Sequence, residues 1–428
     1  MTIRFWLVCV ATLASLTGCG PSEPQRSKKP SVLLVVVDTL RADKLGCYGS
    51  GLGATPNFDA LARDGVLFEQ AYSQAPWTLP SFATLLTSLA PPQHGAGGHV
   101  GKFTRLAPSA HTVAECFRDA GYATGEIVNV DYLTPPFGVT RGFTDVDFEV
   151  YDSNGLKRDA GRTTDAALSW IRKQQAKPFF LMVHYFDLHL VYSPPLEYRR
   201  QFAAPQDRDN SAWVFGTRQQ ISAFRNGEIT FDEASIRRAE KLYNGEVAYT
   251  DAQFGRLLAE LDKLGLRNET LVVLTADHGE SFLDHGSFEH GHTLYNELLH
   301  VPLIMSWPGE LEPSKVPLAV SLMDVAPTLC AQAGVKPASS FAGRNLFGSD
   351  GEPTDQTRPV LLEGNLWGPP LRGWMDGGYK LIVSPERSML FDLRVDPWER
   401  NDLSAAQPQR VRKMRTEMEE ARSRPITS

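Results

Sequence analysis

Hydrophobic positions along the chain follow two rhythms. Ser31 to Val37 is an unbroken run of β-branched and leucine side chains, the pattern of a strand buried on both faces of a parallel sheet. The run stops at Asp38. Phe179 to His184 and Leu271 to Thr275 repeat the pattern, and the second is followed by Ala276-Asp277-His278-Gly279-Glu280. Between these runs, apolar residues recur at helical spacing. A helix is expected from Thr55-Pro56, with the proline near its first position, and another over Thr112 to Ala120, closed by Gly121. Two more are expected over Thr163 to Gln175 and over Tyr243 to Leu264, the latter ending at Gly265. Strand alternating with helix predicts a doubly wound α/β fold with a large, mostly parallel central sheet. Arg199 to Ser235 is polar and aperiodic, and reads as an inserted loop or short helices near a site entrance. After Gly343 the elements shorten: Tyr379 to Val383 and Met389 to Leu393 read as a small antiparallel sheet, and Pro408 to Arg424 as a surface helix. The expected division is a main domain over 31–342 and a smaller C-terminal subdomain over 343–428.

The N-terminus is organised differently. Arg4 precedes an apolar run from Phe5 to Leu16, a secretory signal that is too short to span a bilayer comfortably. Its end, Leu16-Thr17-Gly18-Cys19, resembles the lipobox of bacterial lipoproteins, which implies a cleaved signal over 1–19 and a lipidated Cys19. Residues 20–30 then form a tether rich in Pro, Ser and Lys. The expected location is the bacterial cell envelope, anchored through Cys19 and facing the periplasm or exterior. Of five cysteines, Cys9 leaves with the signal, and Cys47, Cys116 and Cys330 remain. Their spacing supports no zinc site and at most one disulfide. A net charge of -7 without a basic stripe argues against nucleic acid as a partner.

The chemistry begins at the strand ends. Either Asp38 or Asp277 alone is as well explained as a cap of the turn that follows. Together, with His278 beside Asp277, they form an oxygen and nitrogen donor set suited to a divalent ion. Downstream of Asp38, Pro76-Trp77-Thr78-Leu79-Pro80-Ser81-Phe82 opens an apolar helix on a hydroxyl residue between two prolines. Here the chain resembles the sulfatase family of the alkaline phosphatase superfamily. The resemblance also runs through Asp38-Thr39-Leu40-Arg41, Gly46-Cys47-Tyr48-Gly49, Pro92-Gln93-His94-Gly95 and His184-Tyr185-Phe186-Asp187-Leu188-His189. It continues through Asp277-His278-Gly279-Glu280, His290-Gly291-His292 and Met323-Asp324-Val325-Ala326-Pro327-Thr328. The resemblance implies an alkaline-phosphatase-like α/β sandwich and a metal-dependent ester hydrolase. Asp38, Asp277 and His278 fall on metal-ligand positions, and Thr78 falls on the nucleophile, itself touching the metal.

Departures from the family pattern sharpen the expected chemistry. Type I sulfatases carry Cys or Ser in a Cys-x-Pro-x-Arg pattern and oxidise it to formylglycine. This chain has Thr78, Pro80 and Phe82, so no formylglycine is expected. The paired aspartates of calcium sulfatases become Asp38-Thr39, and no Lys-x-His pair stands around Glu126 to Asp131. Zn²⁺, Mn²⁺ or Mg²⁺ is therefore expected ahead of Ca²⁺. The set looks like that of superfamily phosphodiesterases and phosphotransferases that use an unmodified threonine. A threonine ester has no second hydroxyl with which to expel sulfate, so water must attack sulfur or phosphorus directly. Phosphoric and phosphonic esters are thereby favoured over sulfuric ones.

The resemblance implies that His189, His292 and, less firmly, His290 bind substrate oxygens or protonate the leaving group, or that they help hold a second ion as in two-metal relatives. His94, His184, His285 and Glu280 are expected to orient the site, and Arg41 and Asn129 are further candidates. Trp367, Trp374 and Trp398 read as core or lid residues rather than sugar platforms. The substrate is expected to be a small-molecule, glycan or lipid ester. Two alternatives stay open: an envelope phosphoryl-group transferase, and a non-catalytic binding lipoprotein on the same fold.

Overall fold

The computed structural model describes residues 29–149, 157–174, 177–203, 208 and 214–425; the expected signal over 1–19, with Cys19, and residues 20–28 of the expected tether lie outside them. A large mixed sheet forms the centre. From one edge its strands run Ser314–Ser321, Val66–Tyr72, Leu303–Ser306, Thr270–Thr275, Ser31–Val37, Phe179–Tyr185, Ala123–Val128 and Asp145–Phe148, and His300–Val301 pairs with Val66–Tyr72. Ser31–Val37 lies in the middle, parallel to both neighbours, with Val36 opposite His184 on one side and Thr275 on the other. Leu303–Ser306 and His300–Val301 bring in the antiparallel pairings. Every residue of the three central strands is buried, as their unbroken apolar runs require.

Helices pack in two groups. Pro56–Arg63 and Ala160–Gln174 rest on the long helix Glu233–Lys263, while Thr78–Thr87, Val113–Asp119 and Val325–Gln332 pack on one another. The long helix starts ten residues earlier than the expected Tyr243. The Asp232 side chain accepts from Ser235 N at 2.8 Å, and Ile236, Ala239 and Leu242 extend the buried stripe. The polar stretch from Arg199 to Ser235 begins inside the short helix Leu196–Phe202 and carries a second, Arg218–Arg225.

The small C-terminal sheet is antiparallel, in the order Val360–Glu363, Arg372–Asp376, Tyr379–Val383 and Ser388–Asp392. Met414 and Met418 of the helix Pro408–Arg422 pack on Leu381, Leu390 and Trp374 of this sheet. Its link to the main sheet is polar as well as apolar. Lys380 Nζ, fully buried, lies 2.9 Å from Glu399 Oε1 and donates to Asn296 Oδ1 at 2.9 Å. That contact holds the turn Asn296–Leu299, whose Leu298 carbonyl accepts the Gly279 N–H at 2.8 Å. Gly279 has no room for a side chain, because a Cβ there would meet the Glu297 carbonyl at 2.1 Å.

Candidate active site

The sheet brings the two acidic strand ends together. Asp38 follows Ser31–Val37 and Asp277 follows Thr270–Thr275, and these strands are adjacent and parallel. Thr78 arrives from a third direction as the first residue of the helix Thr78–Thr87, all of whose residues are buried. Ser81 on that helix donates to the Asp277 carbonyl at 2.5 Å and exchanges a 2.9 Å hydrogen bond with Ser73. Thr78 is thus tied to the strand that carries Asp277 and His278, at a helix N-terminus where negative charge is favoured.

Hydrogen bonding leaves selected atoms free. His184 Nδ1 accepts from Asn129 N at 3.4 Å, which makes its Nε2 the donor to Asp38 Oδ2 at 3.0 Å. Asp277 Oδ1 accepts from His278 N at 2.9 Å and from Thr39 N at 3.3 Å. His278 Nδ1 donates to Gly279 O at 2.9 Å, so its Nε2 keeps the lone pair. Asp38 Oδ1 and Asp277 Oδ2 are buried without a hydrogen-bond partner. They lie 3.7 Å and 3.3 Å from His278 Nε2, and Thr78 Oγ1 lies 3.4 Å from the same nitrogen. Two orphaned carboxylate oxygens and an imidazole lone pair converging on one point match the donor set of a divalent cation, with a hydroxyl at its edge.

The two carboxyls differ in charge preference. Burial pushes Asp38 up, but the His184 hydrogen bond and the neighbouring imidazoles outweigh it, holding Asp38 well below the usual range. Burial and the negative charge of Asp38 push Asp277 well above that range. Two carboxylates this close do not both ionise without a cation between them.

Thr39, which stands where calcium sulfatases carry a second aspartate, holds a left-handed backbone at φ 58°, unusual for a β-branched residue. Tyr243 clamps it, its hydroxyl donating to Thr39 O at 2.7 Å and accepting from Arg41 N at 3.1 Å. Arg41 is fully engaged by Asp43, Asp284 and the Glu280 carbonyl, and braces the 277–280 turn. Phe82 is core: its ring packs T-shaped against the His184 ring at 5.3 Å between centroids.

Three imidazoles lead outward. His290 contacts His278 at 4.5 Å between ring centroids, and His189 contacts His290 at 4.9 Å. Glu280 orients His290 Nδ1 at 3.0 Å and is itself held by Tyr192 at 2.8 Å, while burial pushes its carboxyl up to about 7. His290 is therefore more central than the sequence suggests; its only signal there is its place beside Gly291-His292. His189 and His292 both line a cavity of about 950 Å³ that opens beside this row, bounded by Arg218–Arg225, Gly286–Glu289 and Trp367. Burial lowers both imidazoles to about 4. Trp367 carries the Arg225 guanidinium at 3.9 Å and stacks with His292, and Arg225 also pairs with Glu289. Trp374 is buried, and Trp398 is exposed away from this cavity. His94 and His285 are held by structural partners, Thr84 and Ala96 for the first, Glu297 and Tyr295 for the second.

Residues 30–335 match the family model described as Sulfatase. Human iduronate 2-sulfatase is 27% identical over 65% of this chain and 60% of its own length. Mouse arylsulfatase K is 25% identical over 94% of this chain and 82% of its own. The solved phosphonate monoester hydrolase of Agrobacterium radiobacter shares the fold at a TM-score of 0.75 and 22% identity, over 92% of this chain and 95% of that one.

The raised Asp277 carboxyl sets the sign of a pH effect. A proton held there must leave when a divalent cation enters, so affinity rises with pH, by about tenfold per unit while Asp277 remains protonated. Calorimetric titration with Mn²⁺ or Zn²⁺ in buffers of different ionisation enthalpy should show proton release, and Asp277→Asn should abolish tight binding. Affinity that does not vary with pH contradicts the shared-proton account.

Proposed function

The chain belongs to the sulfatase family, and on that premise we propose that it is an ester hydrolase in which Thr78 is the covalent nucleophile. The observation that carries this reading is the placement of Thr78 Oγ1 3.4 Å from His278 Nε2, beside the unpartnered Asp38 Oδ1 and Asp277 Oδ2. A divalent cation held by Asp38, Asp277 and His278, with Thr78 at its edge, supplies the Lewis acidity that makes a weak hydroxyl nucleophilic near neutral pH. The donor set of two carboxylates, an imidazole and a hydroxyl favours Zn²⁺, Mn²⁺ or Mg²⁺ over Ca²⁺.

Thr78 Oγ1, its proton lost to solvent, attacks sulfur or phosphorus in line, the bond to the leaving oxygen breaks, and a threonine ester remains. Water then attacks the same atom and releases Thr78. His189 and His292 handle protons at the cavity side. Both are neutral in the free site, so each presents an acceptor nitrogen. His189 Nδ1 is committed to Leu190 O at 3.0 Å, which leaves Nε2 for the substrate or the water. An anionic ester raises the pKa of an adjacent imidazole, and the same nitrogen then delivers a proton to the leaving oxygen. His290, oriented by Glu280, holds His278 in place. The 950 Å³ cavity far exceeds one sulfuryl or phosphoryl group and fits a small-molecule, glycan or lipid leaving group. Release of a threonine ester only by direct attack favours phosphoric or phosphonic esters over sulfate.

We also propose that the protein is exported and anchored by a lipidated Cys19, on the strength of Leu16-Thr17-Gly18-Cys19 after the apolar signal. Labelling with a fatty-acid analogue should mark the wild type and not Cys19→Ser; equal labelling, or none, overturns the anchor. For the chemistry, nitrophenyl sulfate, phosphate mono- and diesters and phosphonate should be assayed side by side on the metal-loaded protein. Thr78→Ala should lose at least about a thousandfold in kcat, whereas Thr78→Ser should retain measurable turnover. Full activity in Thr78→Ala removes Thr78 as nucleophile.

A further inference from the structure

The turn that carries His189 is gathered around the Lys157 ammonium. Lys157 Nζ donates to Asp187 O at 2.6 Å and to His189 O at 2.7 Å, and reaches Phe186 O at 3.5 Å. The same ammonium lies 5.9 Å from the centroid of the Phe186 ring, and that ring stacks on the His189 imidazole at 4.5 Å. Lys157 therefore reaches His189 by two routes, through its backbone carbonyl and through the aromatic face that supports its ring. The imidazole depends on this backbone, since Nδ1 is fixed by the next carbonyl, Leu190 O.

Buried acids complete the surroundings. Asp187 Oδ1 accepts from Ala160 N at 2.9 Å while Oδ2 is buried without a partner among the described residues, and Glu246 Oε1 accepts from Ser193 N at 2.7 Å. Burial pushes both carboxyls up, and the charge of Lys157 opposes that shift in each. Three carbonyl oxygens gathered by one ammonium, with two buried carboxyls nearby, make up the surroundings of a bound cation.

We propose that Lys157 is a positioning residue, the built-in cation of a carbonyl cage beneath residues 186–189 that fixes His189 toward the cavity, and that the vacated cage accepts a small ammonium ion. The consequence for turnover rests on the ester-hydrolase reading above; the positioning itself does not.

The test uses the full chain with Lys157→Ala, and Lys157→Met to keep the apolar stem if the alanine variant folds poorly. Hydrogen exchange at residues 186–190 should accelerate at least about tenfold, while the central strand 31–37 keeps its protection. Methylammonium should slow that exchange in Lys157→Ala, and tetramethylammonium, equal in charge but too bulky and without N–H donors, should not. On whichever aryl ester the wild type hydrolyses, kcat should fall about tenfold with KM within about twofold, and methylammonium should restore part of kcat. Unchanged exchange at 186–190, or a loss indifferent to methylammonium, overturns the proposal. Altered and rescued exchange in a protein whose wild type hydrolyses none of the esters supports the cage and counts against the ester-hydrolase reading alone.

Discussion

Two carboxyls facing each other in a dry interior are the constraint on which the rest of the structure turns. At an effective dielectric of about 20, unit charges about 4 Å apart repel by about 4 kcal/mol, and Asp38 and Asp277 have no solvent to screen them. The protein answers on two sides: His184 donates to Asp38, and the Thr39 and His278 amides donate to Asp277. Each arrangement satisfies one oxygen of a carboxyl and leaves the other aimed inward. A divalent cation held by Asp38, Asp277 and His278 would remove the repulsion and use those inward atoms. The left-handed Thr39, the Tyr243 clamp and the glycine at 279 are all consequences of bringing these backbones close enough to do so.

The same constraint explains how the chain departs from formylglycine enzymes without losing the site. Phe82 stands where the family pattern has arginine, yet it is part of the core and supports His184, the donor that keeps Asp38 charged. Thr39 stands in place of a second aspartate and contributes its amide instead of a carboxylate. The proposed preference for a smaller divalent ion over calcium rests on that exchange of a carboxylate for an amide. The hydroxyl proposed as nucleophile, Thr78, would require activation that an aldehyde hydrate does not.

Much of this was legible in the sequence because buried parallel strands carry an unmistakable pattern. Ser31–Val37, Phe179–Tyr185 and Thr270–Thr275 are apolar throughout, and their ends mark Asp38 and Asp277 directly. Strands with mixed burial, such as Val66–Tyr72 and Ser314–Ser321, offer no such run and went unread. So did Ala123–Val128, where a buried Glu126 interrupts the apolar positions. The importance of His290 is hidden in the sequence for a different reason. Its role comes from Glu280 and Tyr192, which meet it only through the tertiary fold. The cavity wall is likewise tertiary: Arg225, Glu289 and Trp367 lie in three distant segments whose association no local period encodes.

The central claim is that Asp38, Asp277 and His278 hold one divalent cation against Thr78. Anomalous diffraction from crystals soaked with Mn²⁺ or Zn²⁺ tests it most directly. The account predicts one strong peak enclosed by Asp38 Oδ1, Asp277 Oδ2 and His278 Nε2, with Thr78 Oγ1 beside it. An empty position there with the fold intact, or a dominant peak among His189, His290 and His292 instead, would contradict it.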